Sequence, residues 1–485
     1  MLYHSTRNKN ATVDSAQAVL SGLAPDGGLY VPVKLPVVDV VACLQLDTIQ
    51  MAESIIGALL PDVPDMDVLA ERAYRGKFQS DELTPTVDTG KFTVLELFRG
   101  PTSAFKDVAL SMLPQLMSKA KTVKGVKEDI MILTATSGDT GKAALTGFQD
   151  VPGIRICVFY PDGGVSAVQR AQMVTQEGAN VHVCAVRGNF DDAQTGVKNI
   201  FATTVDGCLT EGNCLRLSSA NSINIGRLAP QIIYYFKAYA DLLKCGKIKM
   251  GDQVNFCVPT GNFGNILAGW LAKQLGLPVG KLICASNANN VLTDFITTGT
   301  YDRRRLLHKT DSPSMDILVS SNLERLLYLL SEDDALVTDL MKKLNTDGVY
   351  TVPEHLLAKI QDAFWAGWAD DARGAETIRR VWQEQHYLCD THTASGWAVA
   401  EDYVNQTGDT RPMVVLSTAS PYKFPAAVLA AIGGDTSGDE FTQMETLEQL
   451  TGIPIPSNLA GLREKAERHT DVINKDQMRT FVLSL

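Results

Sequence analysis

Val254–Ser286 reads VNFCVPTGNFGNILAGWLAKQLGLPVGKLICAS. VNFCV is a short apolar β-rich run, PTGNFGN a glycine-bearing turn, ILAGWLAKQLG a helical pattern, and KLICAS a second apolar run. Strand, loop, helix, strand implies parallel neighbours, because a tight hairpin cannot join strands that run the same way. The rhythm recurs. Asp129–Ala135 (DIMILTA) leads through TSGDTG into a helix beginning KAALTGF. Arg155–Tyr160 (RICVFY) leads through SAVQRAQMVTQEG to NVHVCAV, and Arg411–Leu416 (RPMVVL) runs into STASPYKFP. The fold class is therefore α/β, with parallel sheets and crossover helices. Ligands in such folds bind outside the carboxyl ends of the strands, where these glycine loops lie.

Outward from this region the pattern changes. Residues 1–90 combine an amphipathic stretch at Ser15–Leu23, a turn-rich APDGGLYVP and an apolar helical run at Met51–Leu60, and read as an N-terminal subdomain. Residues 91–435 form the α/β region in two lobes, interrupted at about 290–382 by charged helix-favouring sequence such as DDALVTDLMKKL and EHLLAKIQDAFWAGW. Residues 436–485 are polar and read as a peripheral helical appendage.

A formal net charge of −11 disfavours nucleic acid or an anionic bilayer as a partner for the molecule as a whole. No apolar run reaches the ~20 residues of a spanning helix, and MLYHSTRNKN lacks the order of a secretory signal, so a cytoplasmic location is expected. The nine cysteines include no CxxC pair and read as small core residues. With no HExxH among the histidines, no metal site is expected.

Three loops carry chemistry. PTGNFGN places unpaired backbone N–H groups at a helix N-terminus, which suits a phosphate monoester, or is only a tight turn. It lacks the GKS/T of a nucleotide P-loop and the GxGxxG of a dinucleotide site. TSGDTG offers Ser137, Thr140 and backbone amides to a carboxylate, unless Asp139 or Thr140 merely caps the next helix. In ELFRGPTSAFKD, Lys106 stands between Phe105 and Asp107, where desolvation would lower its pKa and fit it for a Schiff base; the plain reading is an exposed lysine. Together the three are what a pyridoxal-phosphate enzyme acting on an amino acid needs.

LFRGPTSAFKDVA, TATSGDTGKAA, LSSANSINIGRLAPQI, VPTGNFGNILAG, SMDILVSSNLERLL and LSTASPYKFP occur in the order and spacing of the threonine synthase family, which the chain resembles from Met1 to about Ala430. AQAVLSGLAPDGGLYVP matches that family's N-terminal signature. The resemblance implies a fold-type II pyridoxal-phosphate enzyme, tryptophan synthase β-like, with two open, mostly parallel, twisted sheets flanked by helices. It also implies a lyase that converts O-phospho-L-homoserine and water into L-threonine and phosphate, as a monomer or homodimer. By that resemblance Lys106 carries pyridoxal 5'-phosphate, and Gly261, Asn262, Phe263 and Asn265 cradle its phosphate. Thr418 meets its pyridine nitrogen with a neutral hydroxyl. Ser137, Asp139 and Thr140 are implied around the substrate carboxylate and ring hydroxyl. Asn221, Ser222, Asn224 and Arg227 of ANSINIGR, with Lys423, are candidates for the substrate phosphate, since Arg and Lys are charged donors; a helix cap with a surface arginine is the alternative.

The chain departs from the family pattern. Many relatives carry FHGPT and TAHPAKF, whereas Arg99, Ser420 and Tyr422 stand here, and Thr391 occupies a frequent proline position. Two alternatives follow: a threonine-synthase-like phospholyase releasing 2-oxobutanoate, ammonia and phosphate, and a non-catalytic pyridoxal-phosphate-binding protein.

Overall fold

The computed structural model describes residues 1–136, 138–204, 208–209 and 215–485. Two six-stranded sheets organise it. The first runs Val472–Asn474, Val181–Arg187, Ile154–Pro161, Ile130–Ala135, Leu215–Ser218, Cys208–Leu209. The second runs Phe364–Trp368, Val279–Ser286, Val254–Pro259, Met413–Ser417, Thr93–Glu96, Thr86–Asp88. All pairings are parallel except at the last strand of each sheet. Each apolar run named in the sequence forms a strand because it is buried on both faces, as parallel strands under crossover helices must be.

The pleat divides these strands between separate cores. Ile130 and Ile132 face a central core, which also takes Phe256, Val258 and Leu416 from the second sheet. Met131 and Leu133 face an outer core on the first sheet, and Cys257 and Val415 an outer core on the second. The strand Leu2–Ser5 pairs antiparallel with Asn8–Asp14 and Tyr30–Pro32 at the edge of the molecule. Helices Thr48–Leu59 and Met66–Tyr74 bury their apolar stripes in the central core.

The helix Lys106–Val123 lies between the lobes, and its interior Pro114 removes one N–H from the helical ladder. The carbonyl so freed, Leu110 O, faces the helix Asp139–Phe148 at Gly147, where a Cβ would sit 1.9 Å from that oxygen. The small residue lets two helices meet closely. One carries Lys106 at its first position and the other Asp139, so this crossing sets the spacing of two site residues.

Three expectations change. The run FWAGW continues the helical three-and-four spacing of EHLLAKIQDA, yet the helix ends at Ala363 and Phe364–Trp368 pairs parallel with Val279–Ser286. Residues 290–382 thus supply the edge strand of the second sheet as well as helices. The tail is not peripheral: Val472–Asn474 adds a strand beside Val181–Arg187, and Met478 and Val482 fill the outer core of the first sheet. Of the cysteines, Cys43, Cys157, Cys184, Cys257, Cys284 and Cys389 are free and buried and Cys245 free and exposed, whereas Cys208 is disulfide-bonded.

Candidate active site

The carboxyl ends of three strands, with one covering segment, bring the candidate residues together. After the strand Thr93–Glu96 the chain turns through Gly100–Ser103, and Ser103 takes a left-handed φ of 60°. Ser103–Phe105 then runs against Thr418–Ser420: Phe105 N–H donates to Thr418 O at 2.8 Å and Ser420 N–H to Ser103 O at 3.1 Å. Asn458, from the tail, donates to Pro101 O at 2.8 Å and to Ser103 Oγ at 2.9 Å, clamping the same turn. Thr102 donates from its amide and hydroxyl to Asp107 at 2.8 and 2.5 Å. Burial nevertheless pushes the Asp107 carboxyl up to about 6.

Lys106 is 8% exposed. Its Nζ lies 3.1 Å from Ser314 Oγ, 3.7 Å from Asp139 Oδ2 and 4.8 Å from the Phe105 ring centroid. Burial lowers its pKa to about 8; Asp139 opposes the shift, and Arg227 and Lys423 add to it. Asp139 receives Lys423 Nζ at 2.5 Å, Gln169 Nε2 at 3.2 Å and, over a long contact, Ser314 Oγ at 3.4 Å. Burial acts to raise its pKa, but Lys423 and then Lys106 outweigh it and hold the carboxyl below the usual range. Lys423 is wholly buried and also donates to Thr102 O at 3.1 Å.

The PTGNFGN loop follows the strand Val254–Pro259 and opens the helix Gly264–Gln274 through Phe263, whose φ is 62°. A Cβ on Gly261 would lie 2.7 Å from Ser314 O, so the covering segment can approach only a glycine there. The same segment closes on the loop through Asn322, whose N–H donates to Asn262 O at 3.0 Å. Tyr234 and Tyr235 donate to Asn265 Oδ1 at 2.6 and 3.0 Å. That fixes the amide orientation and leaves Asn265 Nδ2 a buried donor with no partner among the described residues. Buried donors are rarely left unsatisfied. An orphaned donor at a helix N-terminus, facing a site with a depressed lysine, fits a phosphorylated aldehyde cofactor.

The ANSINIGR run divides. Arg227 is buried, and among the described residues its guanidinium makes one hydrogen bond, to Ala220 O at 2.7 Å, and pairs with no carboxylate; burial lowers its pKa to about 10. Ser222 stands beside the cradle, 3.8 Å from a Cβ built on Gly264, with its hydroxyl 3.2 Å from that of Ser321. Asn221 is exposed. Asn224, expected at the substrate, is instead a cap: its Oδ1 accepts from Gly226 N–H at 2.8 Å and its Nδ2 donates to Val19 O at 2.9 Å. Thr140 is half-buried, Thr418 is buried beside Phe105, and Ser137 lies outside the described residues.

Family models described as "Threonine synthase N terminus", "Pyridoxal-phosphate dependent enzyme" and "Threonine synthase, C-terminal" match residues 2–70, 78–419 and 393–482. Threonine synthase of Pseudomonas aeruginosa is 38% identical, covering 98% of this chain and 96% of that protein. Its yeast counterpart from Saccharomyces cerevisiae is 35% identical, covering 92% and 94%. The chain belongs to the threonine synthase family. Its fold is that of the fold-type II pyridoxal-phosphate enzymes and its cofactor is pyridoxal 5'-phosphate. Human threonine synthase-like 1 is 39% identical over 86% of this chain, which spans 58% of that protein's length. A pyridoxal-phosphate-bound threonine synthase from Brucella melitensis superimposes with a TM-score of 0.87 at 37% identity, covering 99% and 98%. The yeast enzyme superimposes with 0.89 at 32%, covering 100% and 98%.

The residues that break the threonine synthase pattern each have local partners. Arg99 donates to Glu96 at 2.7 Å and lies over the Phe98 ring. Ser420 accepts from Tyr422 N–H at 3.3 Å, the Tyr422 hydroxyl donates to Ile453 O, and Thr391 donates to Asp311 O at 2.7 Å. Reading the motifs alone overlooked Ser314, Gln169, His392 and Asp390. Ser314 and His392 stand inside SMDILVSSN and DTHTASG, but nothing local marks Ser314 as meeting Lys106 or His392 as meeting Ser314.

Proposed function

We propose that the chain converts O-phospho-L-homoserine and water into L-threonine and phosphate. The observation that carries the reading is Arg227, a buried guanidinium in the run whose Ser222 stands beside Gly264 of the cradle, with one backbone acceptor and no carboxylate of its own among the described residues. A buried charge without a counter-ion is unfavourable, and a substrate phosphate removes that penalty while gaining charge-assisted hydrogen bonds.

Bound pyridoxal phosphate supplies an electron sink for the carbanion at the substrate Cα. Lys106 is the residue that would hold it covalently, and its amine would be free for proton transfer once substrate is bound. With a pKa near 8 the freed amine is a base suited to neutral solution. It takes the Cα proton and passes it to the ester oxygen of the phosphate group at Arg227, which leaves the neutral amine free to take one from Cβ. Phosphate leaves Cγ within reach of Arg227, with Ser222 and Asn221 at the rim. Lys106 then delivers the Cβ proton to Cγ, water adds its hydroxyl at Cβ and gives its remaining proton to the Lys106 amine, and Lys106 passes that proton to Cα. The pairing with Lys423 keeps Asp139 ionised beside Lys106, and Asp139 and Thr140 would meet the substrate carboxylate and ring hydroxyl. Gly261, Asn262, Phe263 and Asn265 would hold the cofactor phosphate, and Thr418 would offer its hydroxyl to the pyridine ring.

The test is a joint assay of phosphate, threonine and 2-oxobutanoate from O-phospho-L-homoserine. Threonine released in step with phosphate supports the synthase. Appearance of 2-oxobutanoate and ammonia in place of threonine makes the protein a phospholyase, and absence of phosphate release makes it a binding protein.

A further inference from the structure

The polar groups around Lys106 include one that the proposed reaction leaves without a role. Ser314 comes from the segment that covers the cradle, 208 residues from Lys106 in sequence, and its hydroxyl accepts from Lys106 Nζ at 3.1 Å. Its own hydrogen points toward Asp139 Oδ2 at 3.4 Å. Its backbone N–H donates to His392 Nε2 at 3.1 Å, and His392 Nδ1 lies 2.7 Å from Asp390 Oδ2. An Nε2 that accepts puts the ring proton on Nδ1, facing the carboxylate; this tautomer is assigned from the hydrogen bonds. Asp390 is itself pinned as the cap of the helix Thr391–Thr407, accepting from His392 N–H at 3.0 Å and Thr393 N–H at 3.1 Å. The His392 ring lies 5.0 Å from that of Phe424 and is buried. Both the position and the tautomer of the histidine are therefore fixed before Ser314 meets it.

Direct contact between Lys106 and Asp139 is 3.7 Å, too long for a hydrogen bond, so the serine hydroxyl stands between amine and carboxylate. We infer that Ser314 is a further catalytic residue of this site, a neutral acceptor that receives the freed Lys106 amine and keeps it from pairing directly with Asp139, with Asp390 and His392 as the positioning residues that hold it. The reason is electrostatic. A carboxylate partner would favour the ammonium form, which is no base, whereas a hydroxyl discriminates far less between the two forms. The charged and titratable groups acting on the amine are Asp139, Arg227, Lys423 and Asp107. Of these, Asp139 and Asp107 favour the ammonium, and only Asp139 is in reach of Nζ. The inference rests on Lys106 being the Schiff-base lysine, not on the identity of the substrate.

The test uses the rate at which the cofactor-free protein takes up pyridoxal phosphate, followed by Schiff-base absorbance between about pH 6 and about pH 10, since only the neutral amine reacts. In Ser314→Ala the amine closes on Asp139, the acid limb moves up by about one pH unit, and uptake near neutrality falls about tenfold. Ser314→Thr, which keeps the hydroxyl, retains the parent profile. His392→Leu, which frees the Ser314 amide, moves the limb in the same direction by less, and His392→Gln restores it. A limb that stays in place or moves down in Ser314→Ala overturns the inference, even if threonine formation is confirmed. A shifted limb in a protein that makes no threonine leaves the inference standing while the proposed reaction falls. A parent protein that forms no Schiff base refutes both.

Discussion

Two arginines are buried among the described residues, Arg325 and Arg227, and burial lowers the pKa of each to about 10. Their surroundings differ. Arg325 donates to Tyr30 O at 3.0 Å, to Asn322 Oδ1 and to Ile223 O, with Glu324 as a neighbouring charge. It ties the N-terminal strand Tyr30–Pro32, the ANSINIGR loop and the covering segment into one unit. Arg227 has one backbone acceptor and no carboxylate among the described residues. A satisfied buried charge holds a fold together, whereas an unsatisfied one is costly, and on the proposed reading the substrate phosphate removes that cost at Arg227.

The largest expected effect separates them. Arg227→Met should lower kcat/KM for O-phospho-L-homoserine by about 10³-fold, as expected when a charged donor to a reacting oxyanion is removed. Its thermal midpoint should stay or rise, because an apolar isostere replaces an unpaired buried charge. Arg325→Met should do the reverse. It should lose about 3 kcal/mol in urea unfolding, since carbonyls of two segments and the Asn322 amide lose their donor, with the loss of activity following the loss of fold. Gly147→Ala should cost about 1–3 kcal/mol and also reduce kcat/KM, because the helices bearing Lys106 and Asp139 are pushed apart at Leu110 O. The smallest effect is on pH dependence. The Lys106 pKa near 8 lies below its unfolded value of roughly 10.4. Between those values the unfolded chain binds the extra proton, so the stability of the cofactor-free protein should gain from this group as pH rises through that window. Lys106→Ala should lose that gain, read as the difference in urea midpoints of the two proteins across the window.

The comparison also marks what the sequence makes legible. Strand, glycine loop and helix are visible at PTGNFGN and SGDTG because short-range periodicity and turn chemistry dictate them. Lys106 is legible through its motif. FWAGW was opaque: its spacing serves a helix as well as a strand, and only the open edge at Val279–Ser286 decides between them. Asn224 and Arg227 lie three residues apart in one polar run and part company only when Val19 O arrives to engage Asn224. Ser314 and His392 acquire their roles from contacts spanning 78 and 208 residues, which no local pattern encodes. The net charge of −11 describes the surface, whereas the site gathers Lys106, Lys423 and Arg227 behind it.

The most direct measurement is ligand binding without turnover. Lys106→Ala protein, reconstituted with pyridoxal phosphate, is titrated with O-phospho-L-homoserine and with L-homoserine, then compared with the double variant that also carries Arg227→Met. Arg227 as the phosphate site predicts that the second substitution weakens the phosphorylated ligand by about 10²-fold or more and leaves the unphosphorylated one unchanged. Equal weakening of both ligands, or of neither, would contradict it.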